Sequence, residues 1–199
     1  TANVFCLKGA SLEKTGFNES AYLAQNPDVA EAVQANIFPS GLEHYVQFGQ
    51  TEGRPAWFTG SDQSDTITAF GQATNITGVS GNVIDDGAFS ATSLGTDERD
   101  TLVGGPGTDR FVLGGFNPDL QKSEIFYLGS GQARIENFDQ TKDRLVLAGQ
   151  SQDYSISFRF LGGNPGTSGT LIAHLATNDA IAFIPDVSSL AATNLEFIG

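Results

Sequence analysis

The segment Gly104-Gly105-Pro106-Gly107-Thr108-Asp109-Arg110-Phe111-Val112 constrains this chain more than any other. Three glycines in four residues argue against a helix or a continuous strand through Gly107, because glycine weakens the interior of both. The pattern is Gly-Gly-x-Gly-x-Asp-x-apolar-x, a tight turn and an acid followed by a short strand. Phe111 is the apolar residue of that strand and is expected to point into a core. Glycine reaches backbone angles closed to other residues and lets carbonyl oxygens turn inward. Asp109 adds a charged oxygen. Calcium takes about six to eight oxygens at roughly 2.3–2.6 Å, and two stacked turns can supply them.

A second pattern accompanies the first. Gly60-Ser61-Asp62-Gln63-Ser64-Asp65-Thr66-Ile67 recurs 35 residues later as Gly95-Thr96-Asp97-Glu98-Arg99-Asp100-Thr101-Leu102. The shared form is Gly-x-Asp-x-x-Asp-Thr-aliphatic. Asp100 stands nine residues before Asp109, one length of the nonapeptide, so their turns are expected to lie one above the other. Two readings are open for the glycine turn: a calcium turn, and a tight turn closed by an Asx bond with no metal. The in-phase block before it favours calcium. The first-choice calcium ligands are therefore Asp97, Asp100, Gly105, Gly107 and Asp109. Asp62 and Asp65 are weaker, because Phe70-Gly71-Gln72-Ala73-Thr74 does not complete a second calcium turn. Asp139 and Asp143 are also weaker candidates. Asp85-Asp86-Gly87 reads as a solvated turn.

Charge excludes several partners. Among 199 residues there are 10 basic and 23 acidic side chains, a net charge of -13. Nucleic acid and anionic membrane surfaces need a basic face that this chain lacks. No run of 18 apolar residues exists, so membrane insertion is not expected. Thr1–Leu12 lacks the basic flank and apolar core of a secretory signal. Cys6 is the one cysteine, so no internal disulfide can form, and it reads as a small buried hydrophobe.

The charge also divides the chain. Residues 1–59 carry six acids and three bases, residues 60–143 thirteen and five, residues 144–199 four and two. The first part reads as short helices. Asn18 can cap a turn through Tyr22, and Asn26-Pro27-Asp28 starts a helix with Val29 and Val33 on one face. Ser40-Gly41-Leu42-Glu43 has the spacing of a capping box, and Gly49 is expected to end that helix. Trp57 and Phe58 are the expected apolar joint to the next part. The middle part reads as short strands, at Thr66–Phe70, Asn75–Thr77 and Asn82–Ile84, between acidic turns. The last part reads as strands at Arg144–Ala148, Tyr154–Phe160, Leu171–Leu175 and Ala180–Ile184, with a glycine-rich loop at Gly162–Gly169. Tyr154, Ile156, Phe158 and Phe160 share one face. The expected fold is mainly β: a short parallel β-roll over 60–143, a C-terminal antiparallel cap over 144–199, and an α-helical module over 1–59.

Residues 60–199 resemble the repeats-in-toxin (RTX), or hemolysin-type calcium-binding, family in the degenerate form found in cyanobacterial surface proteins. Gly95–Leu113 carries the repeat. Ile135-Glu136-Asn137-Phe138-Asp139 with Asp143-Arg144-Leu145-Val146-Leu147 is similar to the segment that closes the roll. Gly169-Thr170-Leu171-Ile172-Ala173 through Phe197-Ile198 looks like its C-terminal cap. Residues 17–54 resemble a small helical module found beside such repeats, through Tyr22-Leu23, Asn26-Pro27-Asp28-Val29 and His44-Tyr45. The resemblance implies bound Ca²⁺, one-step export and folding outside the cell. Clustered carboxylates repel one another without the ion, so calcium binding adds to folding free energy.

Other chemistry is poorly supported. His44 and His174 have no zinc-binding spacing, and no Gly-x-Ser-x-Gly nucleophile turn is present. Asp139 and Asp143 as a glycosidase pair rank well below a structural role. The expectation is a non-enzymatic structural protein of the cell surface or extracellular matrix that associates with itself into fibres or layers. An adhesin binding surface polysaccharide is the alternative, and needs Trp57, Phe58 or Tyr127 exposed in a groove. A hydrolase ranks third, since only about 59 residues lie outside the RTX-like part.

Overall fold

A computed structural model describes residues 16–84, 88–160 and 168–199. Cys6, Thr1–Leu12 and Asp85-Asp86-Gly87 lie outside them, as does most of the expected loop at Gly162–Gly169. The chain is mainly β, with its helices gathered before residue 55.

The helices form where their capping residues predict. Asn18 caps α1 (Glu19–Gln25) by accepting from the Ala21 amide at 3.0 Å, and Pro27 opens α2 (Pro27–Gln34). Ser40 caps α3 (Gly41–His44) from the Glu43 amide at 3.1 Å. The expected stop at Gly49 does not occur. The chain continues through a π-helical turn, Tyr45–Gly49, into α4 (Gln50–Glu52), and ends at Gly53 with φ 71°. Gly49 serves close packing instead, because a Cβ there would strike the Tyr22 hydroxyl.

From Ala56 onward the chain alternates between two sheets. One holds β1 (Ala56–Ser61), β3 (Ala73–Val79), β7 (Thr108–Val112), β11 (Arg144–Ala148) and β15 (Leu195–Ile198) in that spatial order, all parallel. The other holds β2 (Thr66–Thr68), β6 (Arg99–Val103), β10 (Gln132–Glu136) and β14 (Asp179–Pro185), also parallel, with β13 (Ser168–His174) and β12 (Tyr154–Phe160) added antiparallel beyond β14. Two hairpins, β4 (Gly81–Val83) with β5 (Phe89–Ala91) and β8 (Gly114–Asn117) with β9 (Lys122–Ile125), interrupt the alternation.

Register fixes the core. Ile67, Leu102 and Ile135 stand in line across one sheet, and Ile76, Phe111 and Leu145 across the other. All six are buried and belong to one cluster that also takes in Tyr22 and Tyr45 of the helices. Phe111 points inward as expected. The helical part is tied to β1 through Phe17, whose ring lies 5.8 Å from Phe58, and through the Asn18 amide on the Trp57 carbonyl at 2.8 Å. Phe58 is thus the joint. Trp57 faces away and stacks on Phe89 at 4.9 Å.

The nine-residue stacking of Asp100 and Asp109 is overturned. Asp100 lies in β6 of one sheet and Asp109 in β7 of the other. The 35-residue repeat is the one that stacks: Thr66, Ile67 and Thr68 pair with Thr101, Leu102 and Val103. In the alternating parallel part a short strand is followed by a strand of the opposite sheet, so Asp100 and Asp109 are not neighbours in register.

Candidate functional site

The alternation leaves turns along two edges of the sheets, and the predicted site residues fall on both. Along the first edge lie Asp62, Asp65, Asp97 and Asp100, and along the second Gly105, Gly107, Asp109, Asp139 and Asp143.

On the first edge the aspartates close turns. The Asp65 carboxylate accepts from the Ser61 amide and hydroxyl, both at 2.7 Å. The Asp65 amide donates to Asp100 Oδ1 at 2.8 Å, one strand further along the sheet. Asp100 Oδ2 accepts from the Tyr127 hydroxyl at 2.7 Å. Asp97 takes the Ser130 hydroxyl and holds a left-handed φ of 66°. Burial is the main cause that raises the Asp100 carboxyl above the usual range, against hydrogen bonds from the Asp65 amide and Tyr127 that lower it. Glu98 is raised too, by burial and then by the charges of Asp100, Asp62 and Asp65. Its Oε2 is buried and has no hydrogen-bond partner. Among the described residues no ion pair reaches any of these five carboxylates.

The second edge has the same bonding logic. The Asp109 amide donates to Asp143 Oδ1 at 2.9 Å, and the Asp139 amide to Asp143 Oδ2 at 2.8 Å. Thr74, which pairs with Asp109 in register, donates its hydroxyl to Asp109 Oδ1. Asp109 is fully buried, and its Oδ2 meets hydrogen-bond geometry with no group, although the Gly105 amide and the Lys142 ammonium act to lower its pKa. Burial wins and pushes the Asp109 carboxyl up to about 6. Asp139 is half-buried, and its carboxyl lies below the usual range, held there first by hydrogen bonds from Thr141.

Here a cation is present. Lys142 Nζ donates to the Pro106 carbonyl at 2.6 Å and lies 3.5 Å from Asp139 Oδ2. Other carbonyls of the glycine turn are committed as well: Gly104 O accepts from Asn137 Nδ2 at 3.4 Å, and Gln72 O beside it accepts from the Thr108 amide at 2.9 Å. Gly105 and Gly107 do not take left-handed backbone angles. They are glycine because neighbouring backbone is close. A Cβ on Gly107 would run into the Gln72 backbone, and one on Gly105 would lie 3.1 Å from the Ala69 carbonyl. Close stacking of turns accounts for both glycines.

The fit to calcium therefore differs between the edges. Among the described residues no three acids or histidines converge as a ready metal cluster. At the glycine turn Lys142 engages the Pro106 carbonyl and Asn137 the Gly104 carbonyl. At the first edge no ion pair reaches the five carboxylates among the described residues, and each edge keeps one buried oxygen without a hydrogen-bond partner, Glu98 Oε2 on the first and Asp109 Oδ2 on the second. As partners of the acidic turns, sequence reasoning passed over Glu98, Thr74 and Lys142, and it offered Tyr127 only as an exposed aromatic. The 35-residue spacing was the available signal for Thr74, which stands 35 residues before Asp109. The others become visible only once the turns are stacked.

The remaining candidates resolve as structural. His44 is buried, with Nδ1 at 3.0 Å from the Tyr22 hydroxyl. Trp57, Phe58 and Tyr127 are all buried, so they form no exposed aromatic groove. Asp139 and Asp143 are joined through backbone and do not face each other across a cleft. No helix among the described residues is long and apolar enough to cross a membrane. Neither protein-family models nor curated proteins gave a match to this chain.

Proposed function

We propose that the chain is an extracellular, non-enzymatic structural protein, a calcium-stabilised β-roll of the RTX type that associates with copies of itself. One observation carries this reading. The chain alternates between two parallel sheets, and its first return, Ala56 to Thr74, takes 18 residues, two nonapeptide lengths. Later returns in that sheet are longer, 35 residues from Thr74 to Asp109, 34 from Phe111 to Leu145 and 50 from Leu145 to Leu195, and each holds an added hairpin. A degenerate roll with insertions accounts for the different lengths.

Calcium is assigned to the first edge. Asp62, Asp97 and Glu98, which do not yet converge as a cluster, would draw together to hold it there, with Asp65 and Asp100 fixing the turns beneath. When bound, the ion would supply a charge partner for carboxylates that make no ion pair among the described residues. The acidic chain then folds where calcium is plentiful and stays open where it is scarce, which suits one-step export to the cell surface. The polysaccharide-binding reading loses ground because its aromatic platform is buried.

The test is thermal unfolding in calcium, in magnesium and in chelator. Calcium should raise the melting temperature more than magnesium, which demands a tighter octahedral shell. Glu98→Gln combined with Asp62→Asn should remove that difference. Equal stabilisation by the two ions would reduce the effect to screening and overturn the assigned site. Electron microscopy in calcium should show assemblies, and a strictly monomeric protein would overturn the self-associating role.

A further inference from the structure

We infer that β12 is a dimerisation edge, pairing antiparallel with β12 of a second copy about a two-fold axis at Ile156. The inference rests on the self-association proposed above and names the surface that performs it. Among the described residues β12 is the last strand of its sheet and is paired on one side only, with β13. An edge strand left open is a template for another chain.

The face it presents belongs to the core. Ile156 pairs with Ile172 and Phe158 with Thr170, and both partners are fully buried. The opposite sheet ends at β15, however, while β12 lies two strands beyond β14. Tyr154 is still covered, with its ring 6.2 Å from Phe197. Beyond it the cover runs out: Ile156 is 37%, Phe158 50% and Phe160 77% exposed. A core face has outrun the layer that should bury it.

Charge selects the partner. The chain carries 23 acids, yet Tyr154–Phe160 contains none, so two copies can approach here without carboxylate repulsion. The strand holds Arg159, which makes no ion pair among the described residues. Asp153 continues the ladder, its carbonyl accepting from the Leu175 amide at 2.8 Å. Asp153 and Arg159 stand three residues either side of Ile156. Pairing about Ile156 therefore sets Asp153 opposite the second copy's Arg159, twice over. It also sets Tyr154 against Phe158, Ser155 against Ser157 and Ile156 against itself. Centring on Ser157 or Phe158 keeps apolar side chains together but leaves both charges unpaired. Such a contact is isologous and closed.

The test uses the full chain with Cys6→Ser as background. Ile156→Cys should give a disulfide-linked dimer under mild oxidation, because directly opposed strand residues lie about 4.5–5.5 Å apart at Cα, within disulfide reach. Mixing a Ser155→Cys chain with a Ser157→Cys chain should crosslink as well, and serves if Ile156→Cys folds poorly. Arg159→Asp should weaken the dimer about tenfold by sedimentation, and adding Asp153→Arg should restore it. All of this should hold in chelator for whatever fraction remains folded. A protein that assembles but fails both crosslinks keeps the self-associating reading and overturns this inference. A monomer at every concentration overturns both. A dimer insensitive to Arg159→Asp places the contact elsewhere and overturns the register.

Discussion

The two turn edges solve one electrostatic problem in different ways. Each buries an aspartate that accepts a backbone amide from the turn stacked on it, Asp100 from Asp65 and Asp143 from Asp109. Each gathers further acids around that aspartate. At the Asp109 edge the chain supplies its own cation, with Lys142 on the Pro106 carbonyl and beside Asp139. At the Asp100 edge no ion pair reaches the acids among the described residues. Each edge still keeps one buried oxygen without a partner, Glu98 Oε2 on the first and Asp109 Oδ2 on the second. The segment with the strongest calcium-like sequence is thus the one that has an ion pair of its own beside it. A lysine in the adjoining turn can supply positive charge that a shared ion would otherwise bring.

The largest expected effect probes what the edges have in common, the closeness of their turns. Gly107→Ala should cost about 3 kcal/mol or more, because the new methyl meets the Gln72 backbone and only backbone movement can relieve it. Gly129→Ala, whose methyl would meet only Thr96 at 3.6 Å, keeps only the strain of a left-handed φ of 77°, about 1–2 kcal/mol, and should cost less. Chemical denaturation would compare them, and equal losses would show that stacking distance is not what the glycines serve.

Next comes the first edge alone. Tyr127→Phe removes the hydroxyl that donates to Asp100 Oδ2 and accepts from the Gly78 amide. A buried hydrogen bond to a charged group is worth about 1.5–3 kcal/mol, so a loss of about 2 kcal/mol is expected. If the charge of Asp100 is the reason, Asp100→Asn should recover part of the loss in chelator.

Acidity separates the edges by a smaller amount. Asp109 holds its proton up to about pH 6 in the fold, well above its ordinary 3.8. The folded state therefore binds more protons between those values, and stability falls as pH rises through them. In chelator the protein should be more stable at pH 5 than at pH 7, by about 1 kcal/mol from Asp109. Asp109→Asn keeps an acceptor for Thr74 and should flatten that part of the profile. An unchanged profile would assign the dependence to Asp100, Asp143 and Glu98, whose carboxyls are also raised.

The smallest effect is the most direct comparison. Lys142→Met should cost about 0.5–1 kcal/mol, a part-exposed pair discounted for screening. It should also leave the acids of the second edge without an ion pair, like those of the first. Calcium should then stabilise the variant more than it stabilises the parent chain, measured as the shift in melting temperature between calcium and chelator. An identical shift would mean that Lys142 does not stand in for the ion.

Much of the fold was legible in the residues. Asn18, Pro27 and Ser40 marked helix starts through local capping chemistry that needs no tertiary contact. Arg144–Ala148 and Tyr154–Phe160 were strands to the residue, because alternation and β-branched or aromatic content act locally. The 35-residue repeat was also there to be read, and it is the true stacking period of Asp65 on Asp100.

The sequence by itself determined the element types, the mainly β class, the inward Phe111 and the acidic net charge. Tertiary structure decided which acids meet. Asp100 and Asp109 are close in sequence but belong to opposite sheets, while Asp109 and Asp143 are far apart in sequence and share a hydrogen bond. It also decided that Gly49 packs against Tyr22 instead of ending a helix, that Lys142 sits over Pro106, and that β12 outruns its cover. The physical reason is the same in each case. Capping and alternation are settled within a few residues of the chain, whereas register, burial and charge neighbours depend on how many residues each return between the sheets consumes. The inserted hairpins set that number, and no local pattern records it.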